Sequence, residues 1–152
     1  DSLKIKIPLI KVTNIKIITA RFTRTLSTLM ASGIPLIQSI EVVGRVVGNK
    51  IIQDRLEIAA ENIRKGVTLS RAIQDVGIFP PMVDSMIKIG EESGSLDEIL
   101  YKTADFYDDE VEVALQRMTT LMEPIMLVVM ALVIGFIVIA MAMPMFEVMN
   151  TI

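Results

Sequence analysis

The stretch PIMLVVMALVIGFIVIAMAMPMF, residues 124–146, decides the architecture. It carries no charged side chain, and it exceeds the roughly 20 residues with which an α-helix crosses about 30 Å of hydrocarbon. Extending it back to Met118 admits a single charge, Glu123. A signal peptide is excluded by position, because the run lies far from the N-terminus and no basic segment followed by an apolar core and a small-residue cleavage site opens the chain. The run accounts for a hydrophobic fraction of 52% in 152 residues, more than a soluble domain carries. The chain starts at Asp1 and is expected to be a piece of something longer. Arg117 precedes the run and Glu147 follows it, which places the soluble part in the cytoplasm and the last residues outside.

Working outward, the residues before the run carry helical periodicity throughout. Ile15, Ile18, Phe22, Leu26, Leu29 and Met30 recur every three or four residues, and Gly33 supplies a stop. Pro35 suits the start of a second helix with Leu36, Ile37, Ile40, Val43 and Val47 on its apolar face. Asn49 can cap a third, with Ile51, Ile52, Leu56, Ala59, Ala60 and Ile63 buried and Gly66 closing it. Thr68 can cap a short fourth helix that ends at Gly77. Phe79-Pro80-Pro81 breaks the chain, and a fifth helix is predicted from about Met82 to Glu92, stopped by Gly94. Ser95 and Glu98 have the spacing of a capping box, which opens a sixth helix carrying Leu96, Ile99, Leu100, Ala104, Tyr107, Val111, Ala114, Leu115 and Met118. No Gly or Pro stops that helix before the apolar run, where Pro124 is expected to bend it near the membrane surface. No stretch alternates as a strand does. The predicted fold is all-α, a compact bundle of about six helices whose last member continues into a C-terminal transmembrane helix. The expected division is a basic arm over 1–14, a cytoplasmic bundle over 15–117, the span over 118–146 and a short exported tail over 147–152.

Charge is distributed unevenly along the chain. Lys4, Lys6, Lys11, Lys16, Arg21 and Arg24 face only Asp1 in the first two dozen residues, whereas Glu91, Glu92, Asp97, Glu98, Asp105, Asp108, Asp109, Glu110 and Glu112 are offset by Lys102 alone. The basic segment suits anionic lipid, and equally a solvated arm or an intramolecular partner for the acidic helix. Asp105, Asp108, Asp109 and Glu112 share one helix face and have the oxygen chemistry of a hard-cation site; a solvated face or a docking surface for a basic partner explains them more simply. The chain has neither Cys nor His, which removes disulfides and the usual zinc, haem and iron–sulfur ligand sets, so neither metal nor cofactor is expected. The carboxylates have no nucleophile or His beside them, Gly90-Glu-Glu-Ser-Gly94 lacks the lysine of a phosphate loop, and the basic arm lacks interleaved aromatics. Catalysis, nucleotide hydrolysis and nucleic-acid binding are therefore not expected. Within the run, Ala131 and Gly135 form a small-xxx-small pair for close helix packing. Met118, Met122, Met126 and Met130 form a polarizable stripe, and Glu123 is an ionisable group at the bilayer edge.

Leu29-Met-Ala-Ser-Gly-Ile-Pro-Leu36, Asn49, Gly66-Val-Thr-Leu-Ser70, Phe79-Pro-Pro-Met-Val83, Met86-Ile-Lys-Ile-Gly-Glu-Glu-Ser-Gly-Ser-Leu96, Glu123-Pro124 and Ile139-Ala-Met-Ala-Met-Pro144-Met-Phe146 stand in this order over roughly Arg21 to Phe146. In that order they resemble the type II secretion system F domain family, the inner-membrane platform proteins of type II secretion and type IV pilus assembly. Phe106-Tyr-Asp-Asp-Glu-Val-Glu112 and the Met-Pro-Met-Phe ending are more similar to the pilus-assembly, PilC-like branch. The resemblance implies a protein with two such domains and about three spans, of which this chain would be the second domain with the final span. It further implies a non-enzymatic scaffold in a bacterial or related prokaryotic inner membrane, coupling a cytoplasmic hexameric ATPase to insertion or extraction of pilin or pseudopilin helices. Other inner-membrane assembly subunits and further copies of itself would be its partners. Gly90, Glu91, Glu92 and Gly94, with Asp105, Asp108, Asp109 and Glu112, are the expected protein contacts, although Gly90 and Gly94 equally suit turns that need no Cβ. Gly33, Pro35, Gly66, Pro80, Glu123, Pro124 and Pro144 are expected to be structural. The rival expectation is a membrane-anchored sensor that binds a cation on the acidic face.

Overall fold

The computed structural model describes residues 2–152, with side chains from Pro8 onward. The side chains of Asp1, Lys4 and Lys6 in the basic arm lie outside the described residues. Six helices follow one another: α1 (Ser2–Ala31), α2 (Leu36–Val46), α3 (Lys50–Arg64), α4 (Leu69–Val76), α5 (Pro81–Ser93) and α6 (Leu96–Asn150). Among the described residues there is no strand. The chain divides into two compact units, Asp1–Val113 and Ala114–Ile152.

Helix ends follow from turn chemistry. The amide of Gly33 donates to Met30 O at 3.0 Å and that of Ile34 to Leu29 O at 3.1 Å. This pair of bonds closes α1 and requires the left-handed backbone, φ 84°, that Gly33 adopts. Gly66 closes α3 with the same two bonds, from its own amide to Ile63 O and from Val67 to Asn62 O, each 3.0 Å. Asn49 Oδ1 accepts from the amides of Ile51 and Ile52 at 3.0 and 3.3 Å, and Thr68 Oγ1 from Arg71 at 3.4 Å, satisfying amides that have no partner inside their own helix. Pro35 and Pro80 stand at the N-caps of α2 and α5, where a missing N–H costs nothing.

Three expectations need correction. α1 begins at Ser2 rather than near Ile15, so residues 2–14 are helical; Pro8, inside it, forgoes only one hydrogen bond. The Ser95–Glu98 capping box is not made. The Ser95 amide donates to Gly90 O at 3.1 Å, its hydroxyl pairs with Ser93 Oγ at 2.7 Å, and Glu98 turns to Lys102 at 2.9 Å. The closing turn of α5 thus uses the groups the box would need. Ile51, assigned to the buried face of α3, is 63% exposed on its first turn, and Leu115 is exposed on α6.

Helices joined by short turns pack in chain order, α1 on α2, α2 on α3, α3 on α4 and α4 on α5. Phe22, Leu26, Ile40, Leu56, Ile73, Ile87 and Leu100 are fully buried in the resulting core. The rings of Phe22 and Phe79 lie 4.4 Å apart at 34°, so the Phe-Pro-Pro break also anchors the centre. The second unit is the opposite: from Leu121 to Met149 its large apolar side chains are exposed. Its mean hydropathy peaks at 3.1 over an 18-residue window, and lipid is the solvent that covers such a helix. α6 continues through Pro124 and Pro144.

Candidate interaction surface at the α5–α6 turn

The Gly90-Glu-Glu-Ser-Gly94 turn is where the expected contact residues concentrate, and the structure gives each a different job. Gly90 is buried in the last turns of α5 against the start of α6. A Cβ there would stand 2.9 Å from Leu96 Cα and 3.0 Å from Leu96 Cδ1. Close approach of the two helices, not an unusual backbone angle, is what excludes a side chain. Gly94, by contrast, has open space around it and a left-handed backbone, φ 71°, and it caps α5 through its amide to Gly90 O.

Glu91 and Glu92 diverge completely. The Glu91 carboxylate accepts hydrogen bonds from the amides of Leu69 and Ser70, the latter at 3.3 Å. Together with Thr68 it satisfies three amides at the N-terminus of α4, where negative charge also meets the positive end of the helix dipole. Glu92 is exposed and, among the described residues, forms no ion pair. Helical period could have told them apart: Glu91 lies four residues after Ile87 and eight after Val83, on the buried stripe of α5.

The acidic segment of α6 divides in the same way. Arg24 on α1 pairs with Asp105 and, at 2.6 Å through Nη2 and 3.3 Å through Nε, with Asp108. Its guanidinium also sits 5.1 Å over the ring of Tyr101. The hydrogen bonds from Asp105 and then Asp108 hold Arg24 charged well beyond its ordinary range. Lys16 Nζ meets Glu110 at 2.9 Å, and Ser27 Oγ donates to Asp97 O at 3.4 Å. The opposed charges along the sequence are therefore partly an intramolecular seam between α1 and the start of α6. Asp109 and Glu112 remain exposed and, among the described residues, outside any ion pair. No three acids among the described residues are placed to hold a metal ion.

Asp84, in the first turn of α5, was not singled out by sequence. Its Oδ1 is buried and, among the described residues, meets no hydrogen-bond donor, and burial raises its pKa above the ordinary carboxylate value. In the apolar run, Ala131 is exposed, and a Cβ on Gly135 would meet nothing within 4 Å. That helix face is open. Glu123, also exposed, immediately precedes Pro124.

Residues 22–144 match the family described as Type II secretion system (T2SS), protein F. The chain is 38% identical over 152 residues to the Type IV pilus assembly protein PilC of Thermus thermophilus, covering 99% of this chain and 37% of that protein. It is 36% identical to the protein of the same name from Pseudomonas aeruginosa, covering 100% of the chain and 41% of the relative. It is 41% identical over 132 residues to the Type II secretion system protein F of Aeromonas hydrophila, covering 87% of the chain and 34% of the relative. The chain thus spans between a third and two-fifths of the length of these relatives. Matched over most of its length, and in the order of its turn motifs, it belongs to the type II secretion system protein F family.

Proposed function

We propose that the chain is the membrane-anchored helical portion of an inner-membrane platform in a type IV pilus or type II secretion machine. It takes no part in bond-making chemistry: it couples a cytoplasmic hexameric assembly ATPase to the insertion or extraction of pilin or pseudopilin helices. The names of the relatives support pilus or secretion assembly as the setting, with pilus-assembly relatives at 38% and 36% identity and secretion relatives at 41% and 39%, and the Phe106–Glu112 and Met-Pro-Met-Phe motifs support the pilus branch.

The observation that carries this reading is α6. One helix from Leu96 to Asn150 bears exposed acids near its start and an uncharged apolar run after Glu123. Such a helix presents a charged surface to water and a small-residue face, Ala131 and Gly135, to other transmembrane helices. Glu92 and Glu112 are the exposed acids assigned to the cytoplasmic partner, because Glu91, Asp105 and Asp108 are already engaged within the fold. Other inner-membrane assembly subunits and further copies of the chain complete the platform.

Photo-crosslinking in native membranes tests it, with probes at Glu92, Glu112 and Ala131. Capture of an assembly ATPase from the first two, and of pilin or an inner-membrane assembly subunit from Ala131, is the expected result. Capture of the ATPase from none of these positions overturns the coupling role.

A further inference from the structure

Two exposed surfaces of the Asp1–Val113 unit differ from ordinary solvated surface, and they complement one another. The first is an open groove lined by Ile10, Ile15 and Ile18 of α1, Ile51 of α3 and Ile78 of the α4–α5 loop, with Lys11 at its edge. Ile10 is 47% and Ile51 63% exposed. Arg55 stiffens the groove floor, since its guanidinium donates to Val76 O at 2.9 Å. Lys11 is exposed and, among the described residues, forms no ion pair. The second surface is the outer stripe of α6, where Lys102, Phe106, Asp109 and Val113 recur at helical spacing, away from buried Leu100, Ala104 and Tyr107. Phe106 is 44% exposed, and its ring stands edge-on to Tyr107 at 5.3 Å and 89°, which fixes its direction. Asp109 beside it is, among the described residues, an acid outside any ion pair.

We propose that the isoleucine groove of one copy takes the Phe106–Asp109–Val113 stripe of a second copy, with Lys11 meeting Asp109. Among the described residues, Lys11 and Arg55 line the cleft outside any ion pair and Asp109 stands on the stripe outside any ion pair, and an aromatic anchor in a pocket is the usual centre of an interface. The two surfaces of one copy cannot meet each other. Lys16 and Arg24 reach α6 from one side of α1, whereas Lys11, Ile15 and Ile18 fall on roughly the opposite side by helical period. Two unlike patches make the contact heterologous, so that each docked copy offers a fresh patch and the arrangement repeats into a ring or arc. The shared membrane anchor keeps copies in one orientation and confines them to a plane. A contact smaller than the roughly 1,000 Å² of a stable soluble interface suffices there. The inference rests on membrane anchoring and not on the coupling role, so either can fail alone.

The chain has no cysteine, so engineered thiols report single positions. Ile51→Cys and Lys102→Cys are placed on two differently tagged copies of this chain in membranes and joined with a short bis-maleimide. Mixed pairs should exceed like-with-like pairs at least tenfold. Lys11→Glu on the Ile51→Cys copy should cut the mixed yield about tenfold, and Asp109→Lys on the other copy should restore it. Predominance of like-with-like pairs, capture only of lipid or an unrelated protein from Ile51→Cys, or a charge swap that fails to restore the yield each overturns the interface.

Discussion

Residues 15–113 and residues 121–149 use the same side chains for opposite ends. In the first region Phe22, Leu26, Leu56 and Ile73 are fully withdrawn from solvent, while Glu91 caps a helix and Lys16, Arg24, Asp105, Asp108 and Glu110 form an inter-helix seam. In the second, Leu132, Phe136 and Met141 are 69%, 75% and 71% exposed, with no charge from Pro124 to Phe146. A bundle in water separates apolar and polar residues radially, whereas a span separates them along its axis. Only the first region therefore specifies a unique packing from its own residues, and the second takes its environment from lipid and neighbouring helices.

The sharpest way to break the first half of the comparison is Phe22→Ala. The ring is fully buried against Phe79, and its loss should cost about 3–5 kcal/mol, read as the denaturant midpoint of the Asp1–Val113 unit. The matching test of the second half is Leu132→Arg. A cation at the centre of a span costs roughly 2.5–3.5 kcal/mol of insertion free energy, so the fraction resistant to alkaline extraction should fall steeply, while Leu132→Phe leaves it unchanged. Gly90→Ala should cost about 1–3 kcal/mol of stability, read as a lower denaturant midpoint, because the new methyl meets the backbone of Leu96 rather than a side chain that can swing away. Gly94→Asn should be milder, since Asn tolerates the left-handed region. Glu91→Gln should cost about 1 kcal/mol through α4, against less than about 0.5 kcal/mol for exposed Glu92→Gln.

The smallest effect is a pH dependence at Asp84. Burial raises its folded-state pKa above the unfolded value, so the folded state binds the proton more tightly. Its stabilising contribution is complete below the unfolded pKa and is lost as pH rises through the folded one. Asp84→Asn should therefore raise the unfolding midpoint at pH 7 relative to the parent and remove the decline between acidic and neutral pH.

All six helices were legible from apolar period, supported by Gly stops after α1, α3, α4 and α5, Pro starts at α2 and α5, and the Asn49 and Thr68 caps. What escaped was anything set by a partner distant in sequence. Helical period places Glu91, and not Glu92, on the buried stripe of α5, but the partners it meets there, the amides of Leu69 and Ser70, are set by the packing of α5 on α4. Ser95 and Glu98 had the correct spacing for a box, but the turn closing α5 had already taken the Ser95 amide. Arg24 was legible as part of a basic segment and not as the residue that clamps Asp105 and Asp108. Ile51 fitted the apolar period of α3 and still faces an open groove, because period gives a face and not what covers it.

The most direct test of the central contrast is site-directed spin labelling of the chain in lipid bilayers, with labels placed singly at Met126, Leu132 and Ile137 and at Glu57 and Glu92. Collisions with oxygen should dominate at the first three and collisions with a water-soluble nickel chelate at the last two. Nickel-dominated relaxation at Leu132 would contradict the account, because that side chain would then face water rather than lipid.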